Sequence, residues 1–171
     1  MGRGSQVKGR LVHKGPGTVV FGEDCRIGMG LRPGTLVVSG PGRVTIGARC
    51  TIDAGEIYTL DEAASITIGD DCYLNRVEIA ASQAVTIGQR CEIGSALIYD
   101  TDFHSAQRAP RGEVRSGPIV IGDDVWIAAR TAVLRGATIG DRCVIGLGVT
   151  VTGNVDPDTL LRPGLPRRDS L

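Results

Sequence analysis

Aromatic residues are scarce in this chain of 171 residues, which holds two phenylalanines, three tyrosines and one tryptophan. With so few rings, the core has to be made of small and branched side chains, which favours a solenoid over a sandwich. Net charge is lacking too: 19 basic and 19 acidic side chains cancel, and neither sign forms a long run. That removes the electrostatic footprint expected of a partner for nucleic acid or an anionic membrane. No apolar run approaches the roughly 20 residues of a membrane span, and the opening MGRGSQVKGR has no apolar stretch of a secretory signal. The expectation is a soluble, cytoplasmic protein. Histidine is rare, at two residues, too few for a three-imidazole metal site.

What the chain has instead is glycine, 25 residues of it, and a beat. In the stretch 118–155, PIVIGDDVWIAARTAVLRGATIGDRCVIGLGVTVTGNV, an aliphatic residue returns at every sixth place: Ile121, Ile127, Val133, Ile139, Ile145 and Val151. A period of six belongs to neither a helix nor a simple strand. The same phrase recurs earlier, as Val19-Val20-Phe21-Gly22, Val44-Thr45-Ile46-Gly47, Ile66-Thr67-Ile68-Gly69 and Val85-Thr86-Ile87-Gly88. Ile121 and Ile139 lie 18 residues apart, three sixes, which predicts coils of three short strands stacked one on the next. About seven such coils fit the length, as a single domain over 1–171, with 1–18 an irregular start or first coil and 156–171 a tail. Alternation turns Val44 and Ile46 inward and Thr45 outward.

The five cysteines follow the same beat. Cys25, Cys50, Cys72, Cys91 and Cys143 each fall four residues after the aliphatic of the phrase, and Val125 takes that place after Ile121. All should stack inside one corner as small reduced core residues, since neither paired spacing for disulfides nor close Cys/His spacing for zinc is present.

The early coils are longer. Phe21 to Ile46 is 25 residues, Ile46 to Ile68 is 22 and Ile68 to Ile87 is 19, so extra residues loop out in LVVSGPGR, TLDEAAS and ASQ. Inside and outside are not assigned for 56–59 and 77–80. The largest surplus lies in 100–117, DTDFHSAQRAPRGEVRSG, which is polar, charged and aperiodic. A long loop interrupting a regular solenoid points to function.

Repeats such as IGARCT, IGQRCE and IGDRCV resemble those of the hexapeptide-repeat acyltransferases. IYDTDFHS, PIVIGDDVWI and IGLGVTVTGNVDPDTLLRPGLPRR resemble segments of their sugar and polysaccharide O-acetyltransferase branch, which includes the maltose, galactoside and colanic-acid enzymes. The resemblance implies a left-handed parallel β-helix of hexapeptide repeats with an excursion loop near 100–117 and a short C-terminal tail, an exception to the right-handed crossover rule. It also implies a homotrimer with active sites between subunits, acetyl-CoA as cosubstrate, no metal, and a sugar or glycan acceptor in polysaccharide biosynthesis.

His104 is the leading candidate for general base: it sits in the excursion beside Asp100 and Asp102, and an imidazole of ordinary pKa near 6.5 suits deprotonation of a sugar hydroxyl. Asp102 is the expected partner of His104, and Asp100 a second partner or a ligand of the acceptor; both could equally be loop solubilisers. Asn75 resembles a substrate-contacting asparagine of the family and could equally be a turn asparagine in a left-handed corner. Trp126 should point outward, as a ligand wall or a subunit contact, and the resemblance implies a wall along the pantetheine arm. The resemblance carries Ala129, Leu147, Thr152 and Arg168 over to coenzyme A binding, with Leu147 standing where the family pattern has alanine. Arg162, Arg167 and Arg168 cluster near the end, and a guanidinium suits the phosphates of coenzyme A. Arg111 and Arg115 could meet an anionic acceptor, and His13 reads as ordinary surface. The buried cysteines leave no exposed nucleophile, which favours direct transfer over an acyl-enzyme. The readings from other classes are a non-catalytic β-helix scaffold or binding platform, and transfer to an amine or non-sugar molecule.

Overall fold

The computed structural model describes residues 1–30, 34–104 and 114–164. These form three parallel sheets of eight, seven and seven strands, each strand pairing with its counterparts three strands earlier and later in the chain. We name them faces one, two and three. Face one runs from Gln6–Val7 to Leu160–Leu161, face two from Arg10–Lys14 to Thr150–Val151, and face three from Thr18–Phe21 to Asn154–Val155. This is the expected solenoid of about seven coils, and its all-strand, three-faced section accords with a left-handed β-helix.

The sixfold beat becomes columns in the interior. Ile27, Ile52, Leu74, Ile93, Ile127 and Ile145 stack on face one, and Val44, Ile66, Val85 and Ile119 on face three, all buried. Each such side chain contributes about 1.5–3 kcal/mol by leaving water. The stretches whose facing sequence alone did not decide now have one. Ile57, Ile79 and Ile98 align inward on face two, leaving Glu56, Tyr58, Glu78 and Tyr99 on the outer side.

One expected insertion is placed differently. LVVS belongs to the strand Thr35–Ser39, where Leu36 and Val38 alternate into the core, so most of the surplus in that coil lies earlier, between the strands Arg26–Ile27 and Thr35–Ser39. Two inward aliphatics at alternate places outweigh the adjacent turn residues.

The corner between faces three and one keeps the same length in every coil, and three stacked features explain why. Its glycines touch: a Cβ on Gly69 would lie 2.7 Å from the carbonyl carbon of Gly88, and one on Gly47 would lie 2.6 Å from that of Gly69. Glycine is required here by close approach of backbone to backbone. Each cysteine thiol then donates to a carbonyl of the following coil: Cys25 to Gly47, Cys50 to Gly69, Cys72 to Gly88, Cys91 to Gly122 and Cys143 to Asp156, all at 3.1 Å. Burial pushes the Cys25 thiol up, and all five cysteines are free and buried, as their spacing predicts.

The third feature is charge. The residue before each cysteine or its equivalent has positive φ, and in successive coils it is Asp24, Arg49, Asp71, Arg90, Asp124, Arg142 and Asp158. Acid and base alternate without exception. Each arginine grips the aspartate of the next coil with two bonds: Arg49 to Asp71 at 2.7 and 2.7 Å, Arg90 to Asp124 at 2.7 and 2.8 Å, and Arg142 to Asp158 at 2.6 and 2.8 Å. The guanidinium bonds hold the carboxyls of Asp71, Asp124 and Asp158 below their usual range.

Two outcomes follow from this corner. Gly69→Ala should lose about 1–3 kcal/mol in urea unfolding through overpacking. Gly94→Ala, whose added methyl meets nothing within 4 Å, should stay within about 0.5 kcal/mol. Because the aspartate pKa values are depressed in the folded state, their stabilisation is present above the unfolded value of about 3.9 and fades as pH falls through the folded values. Melting temperature should therefore drop on acidification below about pH 4, and an Asp71→Asn, Asp124→Asn, Asp158→Asn triple variant should show a shallower drop.

Candidate functional site

The excursion leaves face two where the strand Leu97–Tyr99 ends, and its base is tied shut. Thr101 and Ser116 form an antiparallel bridge, the Asp102 amide donates to the Arg115 carbonyl at 3.0 Å, and the Gly117 amide donates to the Asp100 carbonyl at 2.8 Å. Asp100 is fully buried, and its carboxylate accepts the backbone N–H groups of Ser82, Gln83 and Ala84 at 2.7, 2.7 and 2.8 Å. These three N–H donors satisfy both oxygens of a carboxyl group that would otherwise be buried without partners. Asp100 thus clamps the turn in the neighbouring coil and is not directed at His104 or open to an acceptor.

Asp102 accepts from Arg135 Nε at 2.7 Å and lies 3.4 Å from Arg115 Nε, so its carboxylate is taken up by two guanidinium groups. Its link to His104 runs through the backbone, the His104 amide donating to the Asp102 carbonyl at 2.6 Å. The imidazole itself is on the exposed surface. Arg115, read from sequence as a possible anion contact, belongs to this ion-pair set, and Arg111 lies outside the described residues.

Next to His104 is a cluster that the sequence reading missed. Phe103, at φ 57°, turns its ring edge-on to Tyr99 with centroids 5.1 Å apart, and 6.5 Å from the ring of Tyr58. Tyr58 donates its phenol hydrogen to Glu78 Oε1 at 3.2 Å, and Tyr99 donates to the same oxygen. Burial, and then Glu78, push both phenols upward, so both stay protonated donors. Between the tyrosines in register is Ala80, which faces outward by alternation yet is completely buried without joining the interior core. The cluster is therefore a small second packing centre on the outer side of face two. The signal in the sequence was the pair of stretches 56–59 and 77–80, whose facing was not assigned.

A second group gathers at the other edge of face two, where it meets face one. Trp126, on the strand Trp126–Ile127, is 54 % exposed, in register with Glu92 and Val144. The chain then turns through Ala129, and one coil on through Leu147, which is 57 % exposed. The Ala129 carbonyl accepts from Gly148 N–H at 3.1 Å. Asn75 lies on the same corner, opposite Gly94, with its carbonyl accepting from Ser95 N–H at 2.7 Å. The left-handed residue there is Arg76, at φ 54°, so Asn75 is not the corner asparagine that the alternative reading required. Thr152 is on the opposite edge, in an open cleft of about 360 Å³ at the end of the solenoid. Arg162 is exposed, and Arg167 and Arg168 lie outside the described residues.

One chain therefore brings Trp126, Ala129, Leu147 and Asn75 to one corner and roots His104 at another, with face two between them. Among the described residues, no group of three or more His, Cys, Asp or Glu side chains assembles that could hold a metal, and no helix is long and apolar enough to cross a membrane.

Three parallel faces, a six-residue beat and one long excursion define the hexapeptide-repeat β-helix class. Residues 118–153 match the family described as bacterial transferase hexapeptide, six repeats, and the chain resembles the hexapeptide-repeat acetyltransferases. Over 57 residues it is 44 % identical to galactoside O-acetyltransferase of Escherichia coli, covering 33 % of this chain and 28 % of that protein. Over 51 residues it is 41 % identical to chloramphenicol acetyltransferase of Agrobacterium fabrum, covering 30 % of this chain and 24 % of that one. The matched stretch thus spans about a quarter of these relatives' length. A solved hexapeptide-repeat-containing acetyltransferase of Vibrio cholerae superposes with a TM-score of 0.57 at 28 % identity, over 72 % of this chain and 74 % of that one. A polysialic acid O-acetyltransferase shares the fold, with a TM-score of 0.65 at 15 % identity over 99 % and 92 % of the two chains.

The clamp by Asp100 gives a direct test. Asp100→Ala removes the acceptor of three part-buried N–H groups and should lower unfolding free energy by about 1–3 kcal/mol, read by urea titration, with Asp100→Asn intermediate.

Proposed function

We propose that the protein transfers an acetyl group from acetyl-CoA to a hydroxyl of a sugar or glycan precursor, with His104 as general base. The observation that carries this reading is an exposed histidine at the root of an excursion whose base is bonded together on a β-helix whose repeats match those of named acetyltransferases. In the proposed step His104 takes the hydroxyl proton as the alkoxide attacks the thioester carbonyl. The tetrahedral oxyanion, held by N–H donors, then collapses and expels the thiolate, which recovers the proton from the imidazole. No acyl-enzyme is needed, since the five thiols are buried. Asp102 serves the base by holding the backbone ahead of it.

The acetyl-CoA wall is assigned to Trp126, Ala129 and Leu147, with Thr152 a further contact from the opposite edge of face two and Arg168 for a phosphate. Exposed Trp126 and Leu147 offer an apolar strip for a pantetheine chain, and Gly148 leaves the backbone beside Leu147 uncovered. Asn75 is assigned to the acceptor. Since the His104 root and the Trp126 corner lie on opposite edges of face two, the reading includes a homotrimer in which one subunit's histidine meets its neighbour's wall. A cytoplasmic setting suits the reduced thiols and the cosubstrate. The sugar hydroxyl is favoured by the galactoside relative's name.

A screen of sugar and glycan acceptors, read as thiol release from acetyl-CoA, tests the reaction. His104→Ala should lose about 10²- to 10⁴-fold in kcat, and wild-type turnover in that variant would remove the base assignment. Arg168→Ala should weaken coenzyme A binding by about 10-fold or more in calorimetry, the worth of a hydrogen bond to a charged group. Absence of any acetyl-CoA binding by the wild type would instead support a scaffold.

A further inference from the structure

We infer that Glu78, Tyr58, Tyr99 and Phe103 form a positioning device for the base, in which one carboxylate oxygen organises two phenols and the phenol rings hold the residue before His104. The inference rests on the acetyl-transfer reading for its catalytic consequence, though not for its geometry.

The geometry begins with register. Tyr58 and Tyr99 occupy rungs on either side of Ala80, whose methyl leaves a gap between two rings on the outer side of face two. Glu78 lies two residues before Ala80, on the same side, and its Oε1 accepts both phenol hydrogens. Each tyrosine is held at one end by the backbone and at the other by the shared oxygen, so neither ring can swing out without breaking a charge-assisted bond. Phe103 meets Tyr99 in an edge-to-face contact and approaches Tyr58.

That contact restrains the backbone at a sensitive place. Phe103 has positive φ, a conformation a bulky residue rarely adopts unless its surroundings impose it. The imposing forces flank it: the amide bonded to Thr101 Oγ1 at 3.3 Å, the Asp102 carboxylate bonded to Arg135, and the ring seated against Tyr99. The left-handed turn reverses the chain, so that the next amide, His104 N–H, folds back onto the Asp102 carbonyl at 2.6 Å. Unseating the Phe103 ring would release this turn and with it the direction of the imidazole. None of the four side chains is required to touch an acceptor or acetyl-CoA; they act through His104.

The test compares Phe103→Ala, Tyr99→Ala, Tyr99→Phe and Glu78→Gln with wild type, at a temperature where circular dichroism shows each fully folded. Phe103→Ala and Tyr99→Ala should lower kcat about 10- to 100-fold, the scale of a roughly 1 Å misplacement, while KM and Kd for acetyl-CoA stay within about twofold. Tyr99→Phe and Glu78→Gln keep the rings and should fall between these and wild type, and Phe103→Tyr should recover most of the loss. The second readout needs no turnover. The chain has two histidines, so the His104 imidazole is assigned in proton–carbon NMR by its absence in His104→Ala. Its signal should collapse towards the free-histidine position in Phe103→Ala and Tyr99→Ala. Unchanged kcat with an unmoved His104 signal overturns the inference, as does a loss confined to KM for acetyl-CoA. If the wild type transfers acetyl to no acceptor, the proposed reaction fails, and the NMR comparison still decides whether the cluster holds His104.

Discussion

The constraint on which the molecule depends is that each coil must lie in register on the one before, at the spacing of neighbouring strands. At the corner between faces three and one this spacing leaves no slack. Glycine backbones touch, thiols donate across the gap, and each left-handed residue donates its N–H to a carbonyl of the preceding coil. An inserted residue there would break all three columns at once. Among the described residues the other two corners carry such columns only in part, the one between faces one and two keeping left-handed N–H donors at Arg76, Ser95, Arg130 and Gly148, and at these corners the chain accommodates extra residues, including the excursion that bears His104. The place of the loop is thus set by where the stack can be interrupted.

Such a corner also explains why an all-β chain with few aromatics holds together. A coil alone buries little, so its stability comes from the neighbours above and below. The column of thiols adds weak directional bonds to that packing without bulk. At Val125 the column carries a branched aliphatic in place of sulfur, still buried, so this place can be filled without a thiol bond.

The columns were legible in the sequence because they repeat. Ile46, Ile68 and Ile87 with Cys50, Cys72 and Cys91 announce both the coil and its interior, and even the outward aim of Trp126 follows by parity. The site was legible only in part, because it is built from residues that do not repeat. His104 stood out by rarity and by its loop. The carboxylates beside it could be read from spacing as partners of the chemistry or as loop solubilisers, and in the structure Asp100 bonds backbone amides and Asp102 two arginines. Spacing along a chain cannot tell which way a carboxylate turns at the root of a loop. The Tyr58–Glu78–Tyr99 set was hidden for a related reason: its members lie 20 and 21 residues apart and meet only because coil register brings them to one side of one face.

The alternating signs at the left-handed corner carry a consequence for how such a chain can change length. From Asp24 to Asp158 the series reads acid, base, acid, base, acid, base, acid. Removing one coil, for example the one holding Arg90, would set Asp71 against Asp124, and duplicating one would set like against like in the same way. Within the stack, away from its ends, only an even number of coils can be added or removed without creating a repulsive step. For changes inside the stack the unit of growth of this solenoid is therefore a pair of coils, even though the unit of its fold is one.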